Sequence, residues 1–156
     1  MLFYHISLII DDDISEFIPR LPDSEFHGED NSIPRVCVSK TIKGCTLSAP
    51  WGMIGIHTLA LIDVDLDTFR KLHGVDDDGM YVNLRVYELE TDSYVDSDYL
   101  YNNKLVPDAN ITEECWILEC IKPSKVYTIK LYYPEEVYND EGKIIDYTSF
   151  KYEVIK

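Results

Sequence analysis

The stretch MYVNLRVYEL, from Met80 to Leu89, decides the fold class. Its side chains alternate with a period of two, and Val, Leu, Tyr and Arg populate it without a helix-type spacing of three and four. The Asp76-Asp77-Asp78-Gly79 turn precedes it, so it reads as a strand entered through a tight reversal. Upstream of that turn, Asp65 to Leu72 (DLDTFRKL) has acidic residues at its start, basic ones near its end and Gly74 just beyond. That pattern predicts a helix of one to two turns. Met53 to Val64 (MIGIHTLALIDV) is nearly uncharged and reads as a buried strand or strand pair. Thr41 to Ala49 reads as a short helix capped by Ser39 or Thr41 and ended by Pro50. Arg35 to Ser39 (RVCVS) is a short strand, and Leu2 to Ile10 is a buried first strand stopped by Asp11, Asp12 and Asp13. Between these two strands runs a long loop punctuated by Pro19, Pro22, Gly28 and Pro34, the kind of segment that tends to be functional.

Downstream of Leu89, residues 91–110 are acidic, Tyr-rich and irregular, with a short helix around Ser97–Asn102. Glu114 to Ile121 and Val126 to Tyr133 are strands joined around Pro123. The tail reads as a hairpin, from Val137–Tyr138 through Asn139-Asp140-Glu141-Gly142 to Lys143–Ile155. About seven short strands and two or three short helices make this a β-dominant α+β chain. Its 156 residues, without a linker or repeat, fit a single domain spanning 1–156.

Charge narrows the partners. Fourteen Lys+Arg against twenty-nine Asp+Glu give a formal net charge of -15. A field of that sign repels phosphate backbones, so direct nucleic-acid binding is not expected, and it favours a basic protein partner. The same excess also serves solubility. The apolar start MLFYHISLII lacks a basic n-region and runs into three aspartates, so neither a signal peptide nor a membrane span is expected. Cys37, Cys45, Cys115 and Cys120 form no CxxC pair, and no ligand spacing for a metal is present. Free thiols and the absence of a leader point to the cytoplasm.

No Walker loop, dinucleotide fingerprint, GxSxG elbow or HExxH occurs. The candidates for chemistry are therefore isolated residues. His5 sits inside the apolar first strand, where an imidazole needs hydrogen-bond partners; a satisfied core histidine is the plainer reading. Glu114 shares a strand face with Trp116 and Leu118 and so points inward or into a cleft, whereas Glu113 points out. A carboxylate there can stabilise a developing cation. Arg20 and Arg35 each follow Ile-Pro at the two ends of the long loop. Each can clamp a pyrophosphate or pair with one of the many carboxylates.

These residues, in order and approximate spacing, resemble the ADP-ribosyltransferase fold. Tyr4-His5-Ile6-Ser7 in a first strand, a long loop, a short strand ending in Ser39 and a small helix resemble its front. Arg85-Val86-Tyr87-Glu88-Leu89 and Thr112-Glu113-Glu114-Cys115-Trp116-Ile117-Leu118 resemble its rear. In outline, over residues 2–131, the chain resembles the small rifampin-type ADP-ribosyltransferases and, at the strand led by Glu114, the poly-ADP-ribose polymerase cores. The resemblance implies a split sheet and NAD as cofactor, with ADP-ribose transferred to an acceptor. It implies that His5 holds the ribose with Ser7 nearby, Glu114 steadies the oxocarbenium-like state, and Arg35 and Ser39 line the cofactor site. Cys37 stands where the family places an aromatic ring on nicotinamide, so either another Tyr substitutes or catalysis is lost. The alternative is a non-enzymatic acidic interaction protein, such as a phage or mobile-element inhibitor that mimics nucleic acid. A cleft lined by His5 and Glu114 favours the enzyme; an acidic face without one favours the inhibitor.

Overall fold

Alternating and β-branched stretches pair into strands, while the polar, Asp-rich stretches between them form turns and short helices. The computed structural model describes residues 1–8, 12–22, 28–48, 72–132, 137–138, 144–146 and 151–155. In chain order these hold β1 (Leu2–Leu8), β2 (Val36–Ser39), α1 (Ile42–Ser48), β3 (His73–Asp76), β4 (Gly79–Glu90) and α2 (Ser97–Asn102). There follow α3 (Ala109–Thr112), β5 (Glu114–Ile117), β6 (Lys125–Tyr132), β7 (Val137–Tyr138), β8 (Ile144–Asp146) and β9 (Tyr152–Val154). Seven strands form one antiparallel sheet in the order β5-β2-β1-β4-β6-β9, with β3 paired to β4; β7 and β8 pair separately. The chain is thus α+β with β dominant, as its alternation predicts. The expected strand at Met53–Val64, the helix at Asp65–Leu72 apart from Leu72, and the turn at Asn139–Gly142 lie outside the described residues. No helix among the described residues is long and apolar enough to cross a membrane.

The chain forms two compact units, with β1, β4 and β6 each contributing residues to both. The first comprises Met1–Ile6, Asp13–Ser48 and Tyr87–Val126. Its sheet is covered on each face by a different cluster. On one face Phe3, Val36, Val38, Tyr87, Leu89, Cys115 and Ile117 pack together with Phe17, which the Phe17–Ile121 bridge holds in place. On the other, Trp116 packs with Leu100 of α2, Ala109 of α3 and Val106 between them.

Local chemistry explains the helices. Thr41 caps α1, its Oγ1 accepting the Gly44 N–H at 2.9 Å, and Asp96 caps α2 by accepting the Asp98 N–H at 3.1 Å. Gly44 is required by packing: a Cβ there would overlap Ser39 Oγ and the Thr112 carbonyl. The four-residue α3 was not apparent in the sequence. It ends on Glu113 in the left-handed conformation, φ 56°, which turns the chain into β5 one residue later.

The second unit comprises Ser7–Asp12, Ala49–Val86 and Tyr127–Lys156. Here β3, also unexpected, pairs with β4 around the Asp77–Gly79 reversal. Gly79 takes φ +119°, and the Asp76 carboxylate accepts the Asp78 N–H at 2.8 Å. Val82, Leu84, Val86, Ile129 and Leu131 are fully buried. The Tyr132 hydroxyl donates to Asp76 at 2.7 Å and ties β6 to the hairpin.

Candidate functional site

Register decides which side chains meet. Directly opposed residues of antiparallel strands share a face. Tyr4 lies opposite Ser39, and Ser39 opposite Glu114, so these three form a row across β1, β2 and β5. Cys37 lies opposite Trp116 on the same face. Arg35, two residues before Cys37, joins them: its guanidinium sits 4.0 Å from the Trp116 ring centroid. His5 is displaced by one residue from Tyr4 and therefore projects from the opposite face. There it packs edge-on against Phe17 at 4.8 Å, with Tyr87 at 6.3 Å. The fold thus brings Arg35, Ser39 and Glu114 to one face and His5 to the other. Ser7, half-buried on β1, belongs to the second unit.

Around Arg35 the polar groups are nearly closed upon themselves. Its side chain is fully buried, and Nη2 pairs with Glu29 at 2.5 Å. Nη1 donates to the carbonyls of Asp30 at 2.6 Å and Ile33 at 3.2 Å. The Trp116 indole N–H donates to Glu114 at 2.9 Å, and burial pushes the Glu114 carboxyl above the usual carboxylate range. Ser39 is buried and spends its hydroxyl on the Thr112 carbonyl at 2.8 Å. Cys37 touches solvent, yet the surrounding protein and the Glu114 carboxylate push its thiol up to about 12. Cys45 donates to the Tyr4 carbonyl from below. Glu113 instead points away from the row, half-buried, and accepts from Thr41 at 2.7 Å.

On the other face, His5 Nδ1 lies 3.1 Å from the Cys37 carbonyl, an acceptor, so this nitrogen carries the proton in the neutral ring. Burial holds the imidazole below its ordinary range, and the Arg20 charge adds to the effect. His5 is therefore a neutral, hydrogen-bonded histidine among aromatic rings.

Three donor atoms cluster at metal-like spacing: Glu29, Cys37 and Glu114 have ligand atoms within 4.8 Å of one another. A cation already occupies the neighbourhood, since the Arg35 guanidinium neutralises Glu29. The thiol would also have to lose a proton that its surroundings hold tightly. The arrangement suits a buried guanidinium better than a divalent ion.

The chemistry available here is structural. A planar cation is wedged between an indole and a carboxylate and tethers the long loop to β2 and β5, which the Arg20–Arg35 backbone bridge reinforces. Sequence reasoning missed Glu29 and Trp116 as the partners of Arg35. The alternation of RVCVS could have shown that Arg35, Cys37 and Ser39 share a face; nothing local could have shown that Glu29 folds back on it. Comparison of the chain with protein-family models, with curated proteins and with solved structures gave no match.

Proposed function

We propose that this protein is a non-enzymatic acidic binding module for a basic protein partner. The observation that carries this reading is the carboxylate excess of 29 over 14, combined with the way the scarce cations are spent. Arg35, Lys40, Lys130 and Lys151 each pair with a carboxylate of their own unit: Glu29, Asp96, Asp76 and Asp78. The remaining acids leave a strong negative field, which attracts a basic surface over a Debye length and repels phosphate. The buried group around Arg35 and Glu114, in which both Nη atoms of Arg35 and the Glu114 carboxylate bond within the protein while Arg35 Nε is left without a hydrogen-bond partner, supports a scaffold role for residues that an enzyme would need exposed. Four cysteines without a disulfide agree with a reducing, cytoplasmic setting. In a titration with a Lys/Arg-rich peptide, this reading expects saturable binding that weakens steeply with salt. Salt-insensitive binding, or none at low ionic strength, overturns it.

The second reading, an ADP-ribosyltransferase-like NAD site, is favoured by the Tyr4–Ser39–Glu114 row, which sets an acid at a strand entry beside the serine of β2. The opposite-face position of His5 and the engagement of Arg35 weigh against it. Calorimetric titration with NAD, on the wild type and on His5→Ala, separates the two. Saturable NAD binding weakened by the substitution would replace the first reading with the second; no heat at millimolar NAD leaves the first.

A further inference from the structure

Within the first unit, two carboxylates compete for one buried guanidinium. Glu29 and Glu114 bring their acidic oxygens within 4.8 Å of each other and of the Cys37 sulfur. Arg35 Nη2 donates to Glu29, Nη1 to the Asp30 and Ile33 carbonyls, and Nε is buried without a partner, so no Arg35 donor reaches Glu114. Glu114 accepts from the neutral Trp116 indole instead. The titratable side chains on the elements packed around it add no cation among the described residues. They are Tyr4 of β1, Cys37 of β2, Cys45 of α1 and Asp108 at the head of α3, the last a further like charge. Lys40 is taken by Asp96, Lys43 is exposed, Asp30 is spent on Ser32, and Glu113 points away toward Thr41.

Two close carboxylates with one cation between them cannot both ionise cheaply, and they titrate as a pair. A buried carboxylate without a counter-charge is costly, so this arrangement favours a protonated Glu114. Burial first, and then the Glu29 charge, raise its carboxyl accordingly. Once ionised, Glu114 repels Glu29 and competes for Arg35. The two acids are not held alike. Glu114 is fixed in the β2–β5 ladder, whereas Glu29 stands on residues 28–34, whose backbone is tied by the Asp30 N–H to the Leu105 carbonyl at 2.8 Å. The loop side therefore yields. We propose that Glu29 and Glu114 form a proton-operated latch: protonated Glu114 leaves Arg35 to Glu29 and holds residues 28–34 against β2 and β5, and ionised Glu114 loosens them. This latch stands apart from the acidic-binding reading and survives or fails without it.

The test follows the Asp30 amide and the Arg35 amide, which donates to the Arg20 carbonyl at 3.0 Å, by hydrogen exchange in the full-length protein. Protection is corrected for the intrinsic rate and compared with core amides of β4, which report global opening. Relative to those, it is expected to fall as pH rises from the ordinary carboxyl range through the folded Glu114 value, by at most about tenfold per pH unit, and then to level off. Glu114→Gln should hold the two amides protected at every pH. In a carboxyl-carbon NMR titration, Glu29→Gln should lower the Glu114 midpoint by about one pH unit or more, since a like charge leaves and the guanidinium is freed. Glu16→Gln removes the same charge from an exposed site in the unit and should move it less. Should Glu29→Gln fail to fold, the wild type against Glu114→Gln decides alone. Protection that tracks the β4 amides at every pH, or a Glu114 midpoint that Glu29→Gln moves no further than Glu16→Gln, overturns the latch.

Discussion

Arg35→Ala is the substitution that most directly tests how the first unit is held together. Its guanidinium is fully buried, and its partner Glu29 has 11% of its side chain exposed. Removing it leaves Glu29 without a counter-charge, the Asp30 and Ile33 carbonyls without a donor, and Trp116 without the stacked cation. Truncating one partner of a buried pair costs about 3–5 kcal/mol. Water entering the vacated space recovers part of the Glu29 hydration, which places the expected loss at the lower end, about 3 kcal/mol. With a urea slope of about 2 kcal/mol/M, the unfolding midpoint falls by about 1.5 M. The thermal midpoint falls by about 2–4 °C for each kcal/mol, hence by roughly 6–12 °C. Arg35→Lys keeps the charge but loses the planar fork and the stack, and is expected to recover only part of this loss. Urea denaturation followed by tryptophan fluorescence reads all three proteins. A midpoint shift below about 0.5 M for Arg35→Ala would refute the reasoning, since at this slope it amounts to a solvated side chain. It would return Arg35 to the pool of groups available to an anionic ligand.

Three further outcomes follow from the same geometry. Glu114→Gln keeps an acceptor for the Trp116 indole and removes a buried charge, so it is expected to raise the urea midpoint at pH 8. Because burial raises the Glu114 pKa in the fold, the native state holds a proton that the unfolded chain releases. Its stability contribution is therefore full below the unfolded carboxyl pKa and is lost as pH rises through the folded value. The advantage of Glu114→Gln should accordingly shrink toward pH 4, and an advantage that grows on acidification refutes the sign. Gly44→Ala should destabilise by about 1–3 kcal/mol despite the better helix former, because its Cβ meets Ser39 Oγ and backbone at Thr112; a stabilised variant in a thermal melt contradicts that packing. Cys37 is exposed, but its thiol is pushed up to about 12, so alkylation at pH 8 followed by mass spectrometry should find it slower than a peptide thiol by about a thousandfold. Comparable rates would show that the thiolate is not desolvated.

Much of the architecture was legible locally. The alternation of Met80–Leu89 reports a strand because a pleated chain sends successive side chains to opposite faces. The Thr41 cap is readable because a short oxygen-bearing side chain before a helix satisfies its free N–H groups. The same logic predicted that Glu114 and Trp116 share a face and that Glu113 does not. The strand His73–Asp76 and the helix Ala109–Thr112 were not legible. Each is only four residues long, too short for a period to emerge, and each owes its place to its neighbours: β3 to the β4 ladder, and α3 to Ala109 packing beneath Trp116.

For the site, sequence alone determined the candidates by type: a histidine in an apolar strand, an acid at a strand entry, two arginines flanking a loop, and a charge of -15. Only the tertiary structure decided which of them meet. The one-residue offset between Tyr4 and His5, set by the pairing of β1 with β2, sends the imidazole to the Phe17–Tyr87 side and leaves Glu114 with Arg35 and Trp116 on the other. Glu29 reaches Arg35 because the long loop doubles back, with Arg20 pairing against Arg35. Charge and residue type are properties of the chain at any distance. Register and loop closure exist only once strands have paired, and in this protein they turn four of the candidate site residues toward two different faces of one sheet.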